Sequence, residues 1–188
     1  MTHAELHRLQ QLQTWLSESA FHADLLAVVA TLLLPDCYIG AGFVRNLVWD
    51  KRHNYRAHTP LNDIDVIYFD QAESDPHAYL GYEAQLRALR PHISWQVRNQ
   101  ALMHHRNGDR PYKNTLDAMS FWPECETAVA ARLLPNQQYE VISAFGLASV
   151  FDLFISANPL RDPAISAQRT RDKHWLTHWP KLTIRHPN

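Results

Sequence analysis

Asp63 and Asp65 stand two residues apart in the run Asn62-Asp63-Ile64-Asp65-Val66-Ile67-Tyr68-Phe69. Its β-branched and aromatic residues predict a strand over 62–69. Side chains alternate along a strand, so the two carboxylates point to one face. Neighbouring carboxylates repel, and each raises the other's pKa unless a cation lies between them. Mg²⁺ is commonly held by one or two carboxylates together with substrate phosphates, and Mn²⁺ accepts the same oxygen ligands. The structural alternative places Asp63 in a turn and makes Asp65 a hydrogen bonder.

A second group of residues carries complementary chemistry. Cys37-Tyr38-Ile39 is a short apolar run, and Gly40-Ala41-Gly42 follows it directly. Phe43-Val44-Arg45-Asn46-Leu47-Val48-Trp49 then shows helical spacing. Glycine permits positive φ and a close approach of ligand to backbone. A helix that starts there presents unpaired N–H groups and a positive dipole end, which suits phosphate. Together the turn and the acid pair form a pattern for holding a nucleoside triphosphate on a divalent cation. Gly40, Gly42, Arg45 and Asn46 are the expected nucleotide-binding residues. Arg45 would act as a charge clamp or would brace the acidic strand.

The order strand, Gly-x-Gly, helix, loop, Asp-x-Asp strand resembles the nucleotidyltransferase fold of the DNA polymerase β superfamily. Gly40–Asn46 with Asp63-Ile64-Asp65 is more closely similar to the head domain of CCA-adding tRNA nucleotidyltransferases. Those enzymes carry a Gly-Gly pair, Val-Arg-Asp and Asp-x-Asp. Here Ala41 separates the glycines and Asn46 replaces the Asp. The long helical neck, body and tail are missing. The chain also resembles a family of small bacterial nucleotidyltransferase-like proteins over nearly its whole length. That resemblance lies in Gly40–Asn46, Thr59–Asp65, Asn99–His104 and Ala144–Leu147. It implies an α+β, polymerase β-like fold with a mixed sheet flanked by helices.

The resemblance also implies a third carboxylate from a neighbouring strand, to complete a two-metal site. That strand is Ile93-Ser94-Trp95-Gln96-Val97-Arg98, and it carries no acid. Gln96 offers a weak carbonyl ligand, and Arg98, if it faces the site, opposes a second cation. Asn99 and Gln100 would read a base or sugar hydroxyl, or else satisfy local backbone groups. Asp117, Glu124, Glu126, Glu140 and Asp152 are the possible substitutes for the missing acid.

The surrounding elements must position these residues. Leucine stripes predict helices over 4–18 and 21–34. Strand 37–40 and helix 43–52 lead to a loop over 53–61, kept extended by Thr59-Pro60. Strand 62–69, helix 76–90 and strand 93–98 follow, then a loop over 105–113 and a short helix over 114–121. Ala128–Leu134 and Gln138–Ser143 form a hairpin. Residues 147–156 and 163–178 read as helices, and the tail after Pro180 as irregular. The whole of 1–188 is read as one domain.

Composition narrows the classes. With 18 basic and 19 acidic residues, the formal net charge is −1, so there is no global basic footprint for a large RNA. Two basic stretches are exceptions, one from Arg45 to His58 and one from Arg98 to Lys113. No apolar run reaches membrane-spanning length. Cys37 and Cys125 form no Cys-x-x-Cys motif, and a reduced cytoplasmic setting is expected. The 12 histidines show no zinc-ligand spacing.

The leading expectation is transfer of a nucleoside monophosphate from an NTP to a hydroxyl. The acceptor is open: an RNA end, a protein side chain or a small molecule. The alternative is a nucleotide-binding or regulatory module without turnover. An RNA-end-binding protein with no nucleotide site is the third class.

Overall fold

The computed structural model describes residues 1–185. It opens with two helices, α1 (His3–Glu18) and α2 (Ala20–Ala30). Thr2 caps α1, and Ser19 both ends α1 and caps α2 through its side chain. A helix start supplies unpaired N–H groups that such hydroxyls satisfy.

The first strands and helices of the sheet follow as β1 (Tyr38–Gly40), α3 (Gly42–Arg52), β2 (Ile64–Tyr68), α4 (Ala78–Leu89) and β3 (Trp95–Asn99). Then come α5 (Gln100–Asn107), α6 (Thr115–Met119), β4 (Val129–Leu133) and β5 (Tyr139–Ser143). The five strands form one sheet in the order β3-β2-β1-β4-β5. β2 and β3 run parallel, and the other pairs are antiparallel. The sheet is therefore mixed, as an α+β fold with this element order requires.

Strand alternation divides the interior. Ile39, Ile64, Val66, Tyr68, Val97 and Val129 face the main core with α1, α2 and α3. Tyr38, Ile67, Ala128 and Ala130 face a smaller cluster with Met119. Asp63 and Asp65 share the parity of Ile67, so they open on the second face.

The C-terminal part departs from expectation. Residues 147–156 do not form one helix. A short α7 (Ala148–Phe151) ends before Leu153, whose φ is 62°, and β6 (Phe154–Ser156) follows. Positive φ in a leucine breaks any right-handed helix. The expected helix over 163–178 is likewise split into α8 (Pro163–Asp172) and α9 (Trp175–His178), with His174 left-handed at φ 51°. The tail is not wholly irregular. β7 (Thr183–Arg185) pairs in parallel with β6, a partner that local pattern cannot reveal. Residues 186–188 of that tail lie outside the described residues. The loop expected over 105–113 begins later, because α5 runs to Asn107 and ends at left-handed Gly108.

Candidate nucleotide and metal site

β1 and α3 are joined by one residue, Ala41, at φ 55° and ψ −125°. This backbone conformation is rare for a residue with a Cβ. The Ala41 N–H is tied to the Val129 carbonyl at 3.0 Å. The N–H groups of Gly42, Phe43 and Val44 have no partner among the described residues. The N-terminus of α3 is thus open, with its dipole directed outward. His22 braces it from α2, with Nε2 donating to the Phe43 carbonyl at 3.1 Å. Its Nδ1 then accepts from the Ser19 hydroxyl at 2.7 Å. Burial, chiefly, pushes the His22 pKa down to about 4, so the ring is neutral in neutral solution.

This helix start lines a cavity of about 290 Å³ together with Asp63 and Asp65. Gly42, Arg45 and Asn46 also line it, so five of the six motif residues meet there. Gly40 does not. A Cβ on Gly40 would stand 3.1 Å from Cη2 of Trp122, so this glycine makes room for an indole. Trp122, in the segment between α6 and β4, accordingly packs against the second cluster.

Arg45 is only 5% exposed and is held on several sides. Its Nη1 donates to Thr127 Oγ1 at 2.7 Å, and Nε and Nη2 donate to Asn46 Oδ1 at 3.2 and 2.9 Å. Its guanidinium lies 4.3 Å from the Trp175 ring and 4.7 Å from Trp49. Burial lowers its pKa to about 10, leaving the charge in place near neutral pH. Asn46 therefore orients Arg45.

Burial is also the main cause that lifts the Asp65 carboxyl to about 6, with the charge of Asp63 second. Lys173, Arg169 and Arg45 act in the opposite sense. Parallel pairing sets Gln96 beside Asp65, and Gln96 Nε2 donates to Asp63 Oδ2 at 2.8 Å.

The loop before the acid pair is anchored by Asp50. This buried carboxylate accepts from Thr59 N at 2.7 Å, Thr59 Oγ1 at 2.6 Å and Trp179 Nε1 at 2.7 Å. His53 adds a second tie. Its Nε2 accepts the Lys181 N–H at 3.0 Å, which places the ring proton on Nδ1, donating to the Trp49 carbonyl. The segment after α8 is thereby fixed to α3.

The remaining expected contacts lie elsewhere. Arg98 pairs with Glu83 at 2.8 Å and lies over Tyr79. Asn99 caps α5 and spends its amide on Asp70 and Glu73. Gln100 donates to the Arg98 carbonyl. All three are outside the cavity, because β3 carries them past the level of Asp63. None of Asp117, Glu124, Glu126, Glu140 and Asp152 lines it either. The wall opposite the acids comes instead from Arg169, Lys173, Trp175, His178 and Trp179. The motifs gave no notice of this wall, since a left-handed His174 between α8 and α9 creates it.

A larger cavity of about 530 Å³ lies between α2, β1 and the β4–β5 hairpin. Its lining is mainly aliphatic, and its Arg132 is paired with Glu140. It offers no acid pair, so the smaller cavity is the candidate site.

Among the described residues, no cluster of three or more His, Cys, Asp or Glu side chains could hold a metal by itself. Two hard carboxylate oxygens donors at an open helix start nevertheless suit Mg²⁺, which takes its other ligands from phosphate and water. Among those residues no helix is long and apolar enough to cross a membrane.

A sequence profile described as nucleotidyltransferase matches residues 27–184. One similar solved structure is described as an NMR structure that reveals a CCA-adding enzyme head domain. It shares 29% identity over 95% of this chain and 96% of that one, with a TM-score of 0.81. A second is a CCA-adding enzyme in complex with CTP, at 14% identity and a TM-score of 0.57. That match covers 93% of this chain and 43% of the other, and shows the fold alone. No curated protein matches the sequence. The mixed sheet and its helices are those of a polymerase β-like head domain.

Proposed function

Because the chain belongs to the nucleotidyltransferase family, we propose that it transfers a nucleoside monophosphate from an NTP to an acceptor hydroxyl. The observation that carries this reading is the meeting of Asp63 and Asp65 with the open N-terminus of α3 in one cavity. The acceptor oxygen forms a bond to the α-phosphorus. The bond from that phosphorus to the β-bridging oxygen breaks, pyrophosphate leaves, and the acceptor's proton passes to solvent.

Asp63 and Asp65 would hold Mg²⁺ or Mn²⁺, which supplies charge neutralisation on the phosphates. The remaining work falls to the chain. Gly42, at the start of α3 and on the cavity wall, offers its N–H to a phosphate oxygen. Arg45, fixed by Asn46 and Thr127, adds a positioned positive charge on the α3 wall. Gln96 keeps one oxygen of Asp63 in place. Positioning and preorganised charge then account for the rate. The CTP complex of a structurally similar enzyme supports a nucleotide as the ligand.

The test is an assay with α-labelled ATP, CTP, GTP and UTP in Mg²⁺ and in Mn²⁺. RNA, lysate protein and a small-molecule extract serve as separate acceptors. Label should enter one pool and vanish in the Asp63→Asn/Asp65→Asn variant. Equal incorporation by that variant ends the proposal.

One observation favours a second reading, a nucleotide-binding module without turnover. Gln96, on the strand beside the pair, donates a hydrogen bond where a third carboxylate would stand. This reading expects metal-dependent stabilisation by NTP with no label transferred to any pool.

A further inference from the structure

Arg169 and Lys173 are the cavity's cations that no sequence motif explains. They lie four residues apart at the end of α8, hence on one side of it. Arg169 Nε donates to Glu124 Oε1 at 2.8 Å, and Glu124 is only 1% exposed. The other oxygen of Glu124 accepts the Thr127 hydroxyl at 2.9 Å. That hydroxyl oxygen in turn accepts Arg45 Nη1 at 2.7 Å. A continuous polar chain, Arg169–Glu124–Thr127–Arg45, thus crosses the interior and joins the α8 wall to the α3 wall.

A buried carboxylate is costly unless paired, and it is paired here at both oxygens. Only one N–H of Arg169 is spent on it. Nη1 and Nη2 of Arg169, and Nζ of Lys173, have no hydrogen-bond or ion-pair partner among the described residues. Three cations line the cavity against two carboxylates. Glu124 behind Arg169 balances the third, so a divalent cation on the acid pair would leave a surplus of positive charge. The aromatic wall is already committed, with Trp175 against Arg45 and Trp179 Nε1 on Asp50. What remains free is a guanidinium fork and an ammonium, the donors that suit several phosphate oxygens.

We propose that Arg169 and Lys173 form a polyphosphate clamp, and that Glu124 is the positioning residue that aims Arg169. The ligand class is a nucleoside triphosphate gripped through its outer phosphates. Its identification as a nucleotide rests on the reading of the acid pair given above; the clamp itself does not. Affinity then rises with phosphate number and falls with salt.

The test uses the full chain and inorganic tripolyphosphate, with binding followed by calorimetry in EDTA and in Mg²⁺. Wild type should bind in both. Lys173→Gln, a change at an exposed position, and Arg169→Gln, whose amide can still donate to Glu124, should each weaken binding about tenfold, and Arg169→Lys should restore part of it. Glu124→Gln should weaken binding about threefold in the native background and not at all in the Arg169→Gln background. A role in folding alone would weaken both alike.

Binding within twofold of wild type in the Arg169 and Lys173 variants overturns the clamp, even if NTP transfer proceeds. An effect of Glu124→Gln that persists in the Arg169→Gln background overturns the positioning role, and Arg169→Lys remains a well-folded check on the clamp. Asp63→Asn/Asp65→Asn should keep metal-free tripolyphosphate binding. If that binding holds and no nucleotide is ever bound or turned over, the reading of the acid pair fails and the clamp stands.

Discussion

Gln96 on β3 donates its amide hydrogen to Asp63 beside β2, at 2.8 Å, across a parallel strand pair. The contact holds one oxygen of the acid pair and sets a neutral amide beside it.

Gln96→Glu converts that donor into a third carboxylate. Without metal, repulsion should cost on the order of 1–2 kcal/mol above neutral pH. Mn²⁺ or Mg²⁺ should return the lost stability, and transfer activity should rise if the cavity is catalytic. Thermal melts of both proteins with and without metal check this. A deficit that metal does not reduce would count against an ion site at the pair.

Asp65 carries a cost in the native state. Its carboxyl titrates near 6, above the ordinary 3.8, so the folded chain binds more protons between those values. Its contribution therefore becomes more unfavourable as pH rises from about 4 to about 6. Asp65→Asn should raise stability by about 2 kcal/mol at pH 8, with the gain fading below pH 4. Urea titrations of both proteins across pH 3.5–8 provide the measurement. An equal difference at every pH would refute the assignment.

His22 acts in the opposite sense. Its pKa is about 4 when folded and 6.5 when free, so the unfolded chain takes up the proton first. Stability linked to His22 is lost as pH falls from about 6.5 to about 4. His22→Gln should flatten that limb while costing roughly 1 kcal/mol at pH 8, through the Phe43 contact. Chemical denaturation from pH 4 to 8 would show whether the limb flattens.

Ala41 holds φ 55° and ψ −125°, which a residue with a Cβ adopts at a cost. Relief of strain, about 1–3 kcal/mol, outweighs the entropy that glycine adds to the unfolded chain. Ala41→Gly should stabilise the protein by about 1 kcal/mol. Equal or lower thermal stability in the variant would mean the turn is not strained.

The acid pair and the glycine turn were legible because each rests on a local rule: period-two alternation and the start of a helix. Both gave residues that now share a cavity. Asn99 was legible only as an amide that would read a base or sugar hydroxyl or else satisfy local backbone groups, because no helix was expected after it. The structure spends it on α5, Asp70 and Glu73. The α8 wall was not legible. Arg169 and Lys173 line the cavity of the acids through a long-range tie to Glu124, while left-handed His174 seats Trp175 against Trp49. Likewise β6 and β7 exist through each other, and neither is predictable from its own three residues.

Asp50 joins Thr59, on the loop that leads to the acids, with Trp179, on the far wall. These partners are distant in the chain and share one carboxylate. Their tolerance of change is therefore not independent. Loss of the Thr59 hydroxyl leaves Asp50 more dependent on the indole, and loss of the indole does the reverse. Substitutions at the two positions would behave epistatically, with the double change departing from the sum of the single ones. In descendants of this chain, what Thr59 can become is restricted by what has already happened at Trp179.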